Sequence, residues 1–177
     1  PNGKLNIRCI ERLVRCIADL ENRGYEMLLV SSGAIGIGAS KLRLPERPSS
    51  TRMKQAAAAV GQCELMHIYD KMFLEYGLNV AQILLTTEET NNGKRRENIH
   101  NTILALLETG AIPIVNENDS VATEESDFGD NDTLSAAVAR LSEADLLVIF
   151  TDMDGLFDDD PRANPEARLI PVVHEVN

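Results

Sequence analysis

The sequence contains no tryptophan, and aromatic residues make up only 4% of its 177 positions. Its core must therefore be aliphatic. Cysteine is also scarce: Cys9, Cys16 and Cys63 are an odd number, with no Cys-x-x-Cys pair and no Cys/His metal spacing. This argues for a reducing cytoplasm. Cys9 and Cys16 stand seven apart on a predicted helix and are expected to be buried small hydrophobes, as is usual for a free thiol. Positive charge is the minority sign, with 17 Lys and Arg against 28 Asp and Glu and a net charge of −11. No basic stripe is present, which argues against nucleic acid as a partner. An anionic substrate stays compatible, because a local cation or metal can dominate one pocket. No apolar run approaches membrane-spanning length and no signal peptide is visible, so neither a membrane partner nor export is expected.

Several nucleotide and hydrolase signatures are missing too. The glycines do not fit Gly-x-Gly-x-x-Gly, and there is no Gly-x-x-x-x-Gly-Lys-Ser/Thr. There is no Gly-x-Ser-x-Gly elbow and no His-Glu-x-x-His. His67 stands without an evident partner and reads as structural. No internal repeat is found.

What is present is an alternation of helical and strand-like stretches in a chain that is 44% hydrophobic, ample for one domain with a real core. Asn6 is placed to cap a helix with apolar positions at Ile7, Ile10, Leu13, Val14, Ile17 and Leu20. Met27 to Val30 reads as a short buried strand. An alanine-rich helix is predicted over Thr51 to Tyr76, interrupted near Gly61. Leu78 to Leu85 contains a strand, Asn91-Asn92-Gly93 a turn, and Lys94 to Glu108 a helix. Ile112 to Val115 reads as a strand with Pro113 near its start, since proline is rare inside a central strand. Thr133 to Leu141 is a helix, and the wholly apolar Leu146 to Phe150 a buried strand. Leu169 to Val173 can form one more. Such alternation predicts an α/β fold with a mainly parallel sheet.

Four of these strands carry polar residues just past their carboxyl ends: Ser31-Ser32-Gly33, Thr86-Thr87, Asn116-Glu117-Asn118-Asp119 and Thr151-Asp152. Parallel strands gather such residues on one sheet edge, where α/β folds place their ligand crevice. Singly, each is an ordinary turn former or helix cap. Together, with Gly129-Asp130-Asn131-Asp132 following closely, they describe a site for a polar, charged ligand. Ser31 to Gly38 is either an anion-binding helix start or a place of close helix–strand packing. Lys94-Arg95-Arg96 is either a solvated face or a partner for a carboxylate across the site or an interface. Without a catalytic-looking histidine or cysteine, phosphoryl transfer fits the set better than acid–base chemistry, because it depends on positioning and charge stabilisation.

The runs Val30-Ser31-Ser32-Gly33-Ala34-Ile35, Ile114-Val115-Asn116-Glu117-Asn118-Asp119, Gly129 to Ala136 and Thr151-Asp152-x-x-Gly155-Leu156-Phe157 resemble those of the amino-acid kinase family, and Asp160-Pro161-Arg162-x-Asn164-Pro165 matches as well. Within that family the wording is similar to the branch acting on the side-chain carboxylate of L-glutamate at the start of proline synthesis. The resemblance implies a three-layer α/β/α sandwich, ATP and Mg2+. It implies contacts to glutamate from Ser32, Asp119 and Asn131, with Gly33 and Ala34 lining the pocket through their backbone. Asp132 would orient catalytic lysines, while Thr151 and Asp152 would lie by the nucleotide. A homo-oligomer and feedback binding of proline are implied as well. Family members open with a strand and a Lys-x-Gly-Ser/Thr turn, and carry a later Gly-rich loop and lysine. Neither lies between Pro1 and Asn177. The chain is thus expected to be one domain, 1–177, incomplete at both ends, and inactive as a kinase by itself. Rival expectations are a kinase for aspartate, acetylglutamate or carbamate on the same fold, a non-catalytic ligand-binding module, or an assembly module using the helices from Thr51 and Lys94.

Overall fold

The structure, a computed structural model, describes residues 5–123, 128–151 and 153–174. By contacts within the chain it divides into two compact units, Pro1–Leu147 and Val148–Asn177. The described residues of the first carry six helices and three strands. Helix α1 (Ile7–Glu21) begins where the Asn6 side chain accepts the Cys9 amide at 3.2 Å. Strand β1 (Leu29–Val30), helix α2 (Ala34–Lys41) and the long helix α3 (Thr51–Leu74) follow. Then come β2 (Asn79–Leu85), the single turn α4 (Thr87–Asn91), α5 (Gly93–Glu108), β3 (Ala111–Glu117) and α6 (Asn131–Leu141).

The three strands form a parallel sheet in the order β1-β3-β2. Alternation along β3 then makes two cores, because successive side chains point to opposite faces. Ile112 and Ile114 pack on Val14, Ile17, Leu65, Tyr69 and Phe73 of α1 and α3. Val115 packs on Ile103, Leu134, Val138 and Leu141 of α5 and α6, with Leu85 of β2. The result is a layer of helices on each face of a parallel sheet, as expected.

Several expectations are corrected. Pro113 lies in the central strand, third of seven residues, and is buried. The Ser31 amide donates to the Val115 carbonyl at 2.9 Å, so residues 113 and 115 turn their backbone groups toward β1. The register starts one residue later, with Leu29 opposite Ile114. Proline's missing N–H therefore falls just before the ladder begins.

Helix α3 is not interrupted at Gly61. A Cβ on Gly61 would stand 1.8 Å from the Ala34 carbonyl oxygen, and one on Gly38 would stand 1.7 Å from that of Ala57. The glycine lets two helix backbones touch.

The three thiols are exposed. The stripe formed by Ile10, Leu13, Val14 and Ile17 sets the buried face of α1, and Cys9 and Cys16 share a different one. Leu146 to Phe150 is not a strand. Leu146 is 78% exposed and Phe150 80% exposed. A strand needs a ladder partner, and among the described residues none pairs with this stretch. In the second unit, β4 (Leu156–Phe157) and β5 (Leu169–Ile170) form a small antiparallel pair.

The helix contact yields a paired prediction. Gly61→Ala should lower stability by about 1–3 kcal/mol, because overpacking against backbone forces the helices apart. Gly36→Ala, at a helical position with nothing within 4 Å of the new methyl, should raise it by about 0.5–1 kcal/mol. Denaturant midpoints check both; equal effects at the two positions would contradict the packing argument.

Candidate active site

The sheet's carboxyl edge is assembled from three chain segments of the first unit. After β1, Gly33 takes the left-handed conformation (φ 98°) and caps α2 without a side chain. This bend starts α2 directly after the strand, so its first amides lie at the sheet edge. Ala34 is buried there, whereas Ser32 and Gly33 are exposed. After β3, the chain leaves through Asn116 to Ser120. The Asn118 amide donates to the Leu85 carbonyl of β2 at 2.8 Å, and the Asn118 carbonyl receives the amides of Val121 and Ala122. Asp119 is half-buried in this turn.

The third segment is the start of α6. Asp130 caps it by accepting the Thr133 amide at 2.7 Å. The Asn131 side chain reaches back to β1 and donates to the Ser31 carbonyl at 2.6 Å. Asn131 is thereby fixed beside Ser32, while Asp132 is exposed in the first turn. The Ser31 hydroxyl shares a hydrogen bond of 2.9 Å with the Tyr69 hydroxyl of α3. Burial holds that phenol above its ordinary pKa, with the Ser31 bond working against it.

Between α3 and the ends of β2 and β3 is a cavity of about 410 Å3 lined by Ala34, Gln62, Cys63, Gln82, Asn118 and Asp119, among others. Two of the expected site residues, Ala34 and Asp119, line it. Asn131 belongs to the same edge through Ser31. Thr151 lies in the second unit, where its hydroxyl accepts the Met153 amide at 3.2 Å. Asp152 lies outside the described residues.

Thr86 has a different task from the one its strand-end position suggests. It is buried and forms a capping box for α4, its amide and hydroxyl both donating to Glu89 at 2.8 and 2.5 Å. Burial pushes the Glu89 carboxyl up, but these hydrogen bonds and Arg95 outweigh it and hold the group below its ordinary range. Arg95 pairs with Glu88 at 3.5 Å and Glu89 at 3.1 Å on an exposed surface. The basic run thus contributes a local surface pair. Lys41 is likewise paired, with Glu64 of α3.

One residue, Gln62, adds to the expected set through the strand-end Asn116. Asn116 is buried and donates through Nδ2 to Gln62 Oε1 at 2.9 Å. Gln62 is buried as well, 8% exposed. Its signal in the sequence is a polar residue on the apolar face of α3, one turn from Ala58 and Leu65, where a polar group needs a reason.

A helix start, a turn bearing carboxylate and amide groups, and a cavity lined by residues of both lie at the carboxyl edge of a parallel sheet in an α/β domain, the edge at which such folds place their ligand crevice. The comparisons with known proteins agree. The profile of the amino acid kinase family matches residues 2–176, and the chain belongs to this family. It is 58% identical over 177 residues to a protein named glutamate 5-kinase from Clostridium acetobutylicum, covering all of this chain and 66% of that protein. It is 55% identical over 175 residues to one of the same name from Carboxydothermus hydrogenoformans, covering 99% of this chain and 47% of that one. The chain thus spans from about half to just under two thirds of the length of these curated relatives. Among solved structures, a substrate complex of isopentenyl phosphate kinase superposes with a TM-score of 0.64 at 18% identity, over 96% of this chain and 72% of that one. The product complex from T. acidophilum gives 0.59 at 17% identity, over 94% and 70%. At such identities the likeness concerns the fold.

The cap of α6 carries a pH dependence. The amide and hydroxyl of Thr133 hold the Asp130 carboxyl below its ordinary range. A depressed folded-state pKa stabilises above the unfolded value, and that stabilisation is lost as pH falls through the folded one. Asp130→Ala should therefore lower Tm at neutral pH, and the gap from the wild type should close below the carboxylate range. Thermal melts across pH check this; a gap that stays constant into acid would count against the cap.

Proposed function

We propose that this chain carries the acceptor site of an enzyme that transfers the γ-phosphoryl group of ATP to the side-chain carboxylate of L-glutamate. The product is γ-glutamyl phosphate, and the reaction opens proline biosynthesis. The observation that carries the reading is the cavity beside Ala34 and Asp119 at the sheet edge, in a chain 51–58% identical to proteins named glutamate 5-kinase.

Glutamate brings one ammonium and two carboxylates. The Asp119 carboxylate is suited to the ammonium. The Ser32 hydroxyl, the Asn131 amide and the backbone of Gly33 and Ala34 are suited to carboxylate oxygens, helped by the positive end of the α2 dipole. Neutral donors and backbone amides place the attacking carboxylate without neutralising it, so it keeps its nucleophilicity. Asp132 stands exposed at the start of α6, where it can orient the cations that gather on the transferring phosphoryl group. That transfer needs cationic stabilisation of charge spread over the phosphoryl oxygens. Magnesium arrives with ATP as the phosphate complex, for which one or two carboxylates usually suffice. Thr151 and Asp152 are assigned to the nucleotide. A cytoplasmic homo-oligomer with feedback binding of proline belongs to the same reading.

The test is a hydroxylamine trap for an acyl phosphate, run on the intact gene product with ATP, magnesium and a panel of amino acids. L-Glutamate should give the hydroxamate. A hydroxamate from aspartate or acetylglutamate with none from glutamate would defeat the assignment. In the same assay Asp119→Asn should raise the glutamate KM about tenfold or more with little change in kcat. Asp132→Asn should lower kcat about a hundredfold, as removal of transition-state charge organisation does. The reverse pattern would exchange the two roles.

A further inference from the structure

The amide of Gln62 is used on one side only. Its Oε1 accepts from Asn116, but its Nε2 is buried and has no hydrogen-bond partner among the described residues. Buried amide donors are almost always satisfied, and leaving one unpaired is unfavourable. Gln62 also lines the cavity that holds Asp119. We propose that Gln62 Nε2 is a substrate-binding donor, reserved for the α-carboxylate of the amino acid whose ammonium Asp119 holds. The proposal rests on the reading of this cavity as the glutamate site.

Three physical points support it. The first is orientation. Asn116 donates to Oε1, so the end of the amide left unpaired is its donor, in a residue that lines a cavity shared with Glu117 and Asp119. The second is stereochemistry. The ammonium and α-carboxylate of an amino acid share one carbon, so their partners must be neighbours. Gln62 and Asp119 border one cavity, and Asn116, which holds Gln62, lies three residues before Asp119 on the same strand end. The third is charge type. A neutral amide can donate to a carboxylate without forming an ion pair with the acid beside it. A lysine there would bind Asp119 in the empty site and compete with the substrate.

The alternative is that Gln62 only anchors Asn116. That function needs Oε1 and not Nε2, which allows a clean test. Gln62→Glu keeps an acceptor for Asn116 and replaces the free donor by an oxygen. In the intact enzyme, the KM for L-glutamate should rise about tenfold or more while kcat stays within about threefold. The variant should also change its preference. The α-amide of glutamate can donate to the new carboxylate, so its kcat/KM relative to that of glutamate should rise about tenfold or more over the wild-type ratio. A merely structural role moves neither quantity, and an unchanged KM with a cooperative melt would overturn the proposal. A fall in kcat at unchanged preference would also overturn it, by placing the amide at the reacting carboxylate. If the glutamate variant does not melt cooperatively, Gln62→Met removes the donor without adding charge. It should raise KM by a similar factor, and an unchanged KM there would be equally decisive. A wild-type enzyme that gives no hydroxamate with glutamate would defeat the underlying reading of the cavity, a result distinguishable from failure of the variants alone.

Discussion

The contact on which the site depends is the crossing of α2 and α3 with no side chain between them. Gly38 faces the Ala57 carbonyl and Gly61 faces that of Ala34 at distances no Cβ could share. Ala34 is the first residue of α2, and Gln62 follows Gly61. One backbone contact therefore fixes the helix start that offers amides to a ligand and the side chain that reaches Asn116 on β3. Any residue larger than glycine would push α3 outward and open the cavity from the side. The cost of two glycines in helix interiors, about 0.5–1 kcal/mol each, is the cost of this geometry.

The remaining links run through neutral groups. Asn131 ties α6 to the Ser31 carbonyl, the Ser31 hydroxyl meets Tyr69, and Asn116 meets Gln62. These bonds join the ends of β1 and β3 to α3 and α6 without burying a charge. Buried ion pairs in the same places would carry a desolvation cost of several kcal/mol per ion. They would also hold the site in one charge state before the substrate enters. The charged groups sit further out. Asp130 and Asp132 are exposed on α6 and Asp119 half-buried in its turn. There they can meet an ammonium or a metal–phosphate complex that keeps part of its hydration.

Much of this was legible in the residues, and the failures have specific causes. The parallel sheet follows from apolar runs separated by helical periods, and the sheet edge from polar residues after those runs. Gly61 reads as a helix interruption because propensity treats glycine as a cost, whereas here packing against Ala34 outweighs propensity. Thr86 reads as a strand-end ligand, yet the spacing Thr86-x-x-Glu89 is that of a capping box, and α4 follows from it. Leu146 to Phe150 reads as a strand from its composition alone. Composition supplies the tendency to pair, not the partner. Cys9 and Cys16 share a face as their spacing requires, but the spacing does not say which face; the isoleucine and leucine stripe does. Thr151 and Asp152 gain their place from the strand predicted just before them, so that argument falls with Leu146 to Phe150 and the resemblance alone carries them.

Gln62 shows a further limit. In sequence it is a polar residue in an alanine-rich helix, and only its neighbours make it informative. Helical spacing puts it in line with Ala58, Leu65 and Tyr69, the last two in the core that α3 buries against the sheet. A glutamine that served packing alone would be poorly chosen there, since an aliphatic residue fills the same volume without a desolvated amide. A glutamine that served only Asn116 would need one of its two polar atoms. The amide makes full sense when both ends are used, one for the strand that builds the site and one for what enters it. By the same logic, an unsatisfied donor in an empty cavity is stabilised when a matching acceptor arrives. On the proposed reading, the carboxylate would satisfy a donor that the protein itself leaves unpaired, which would favour its binding there.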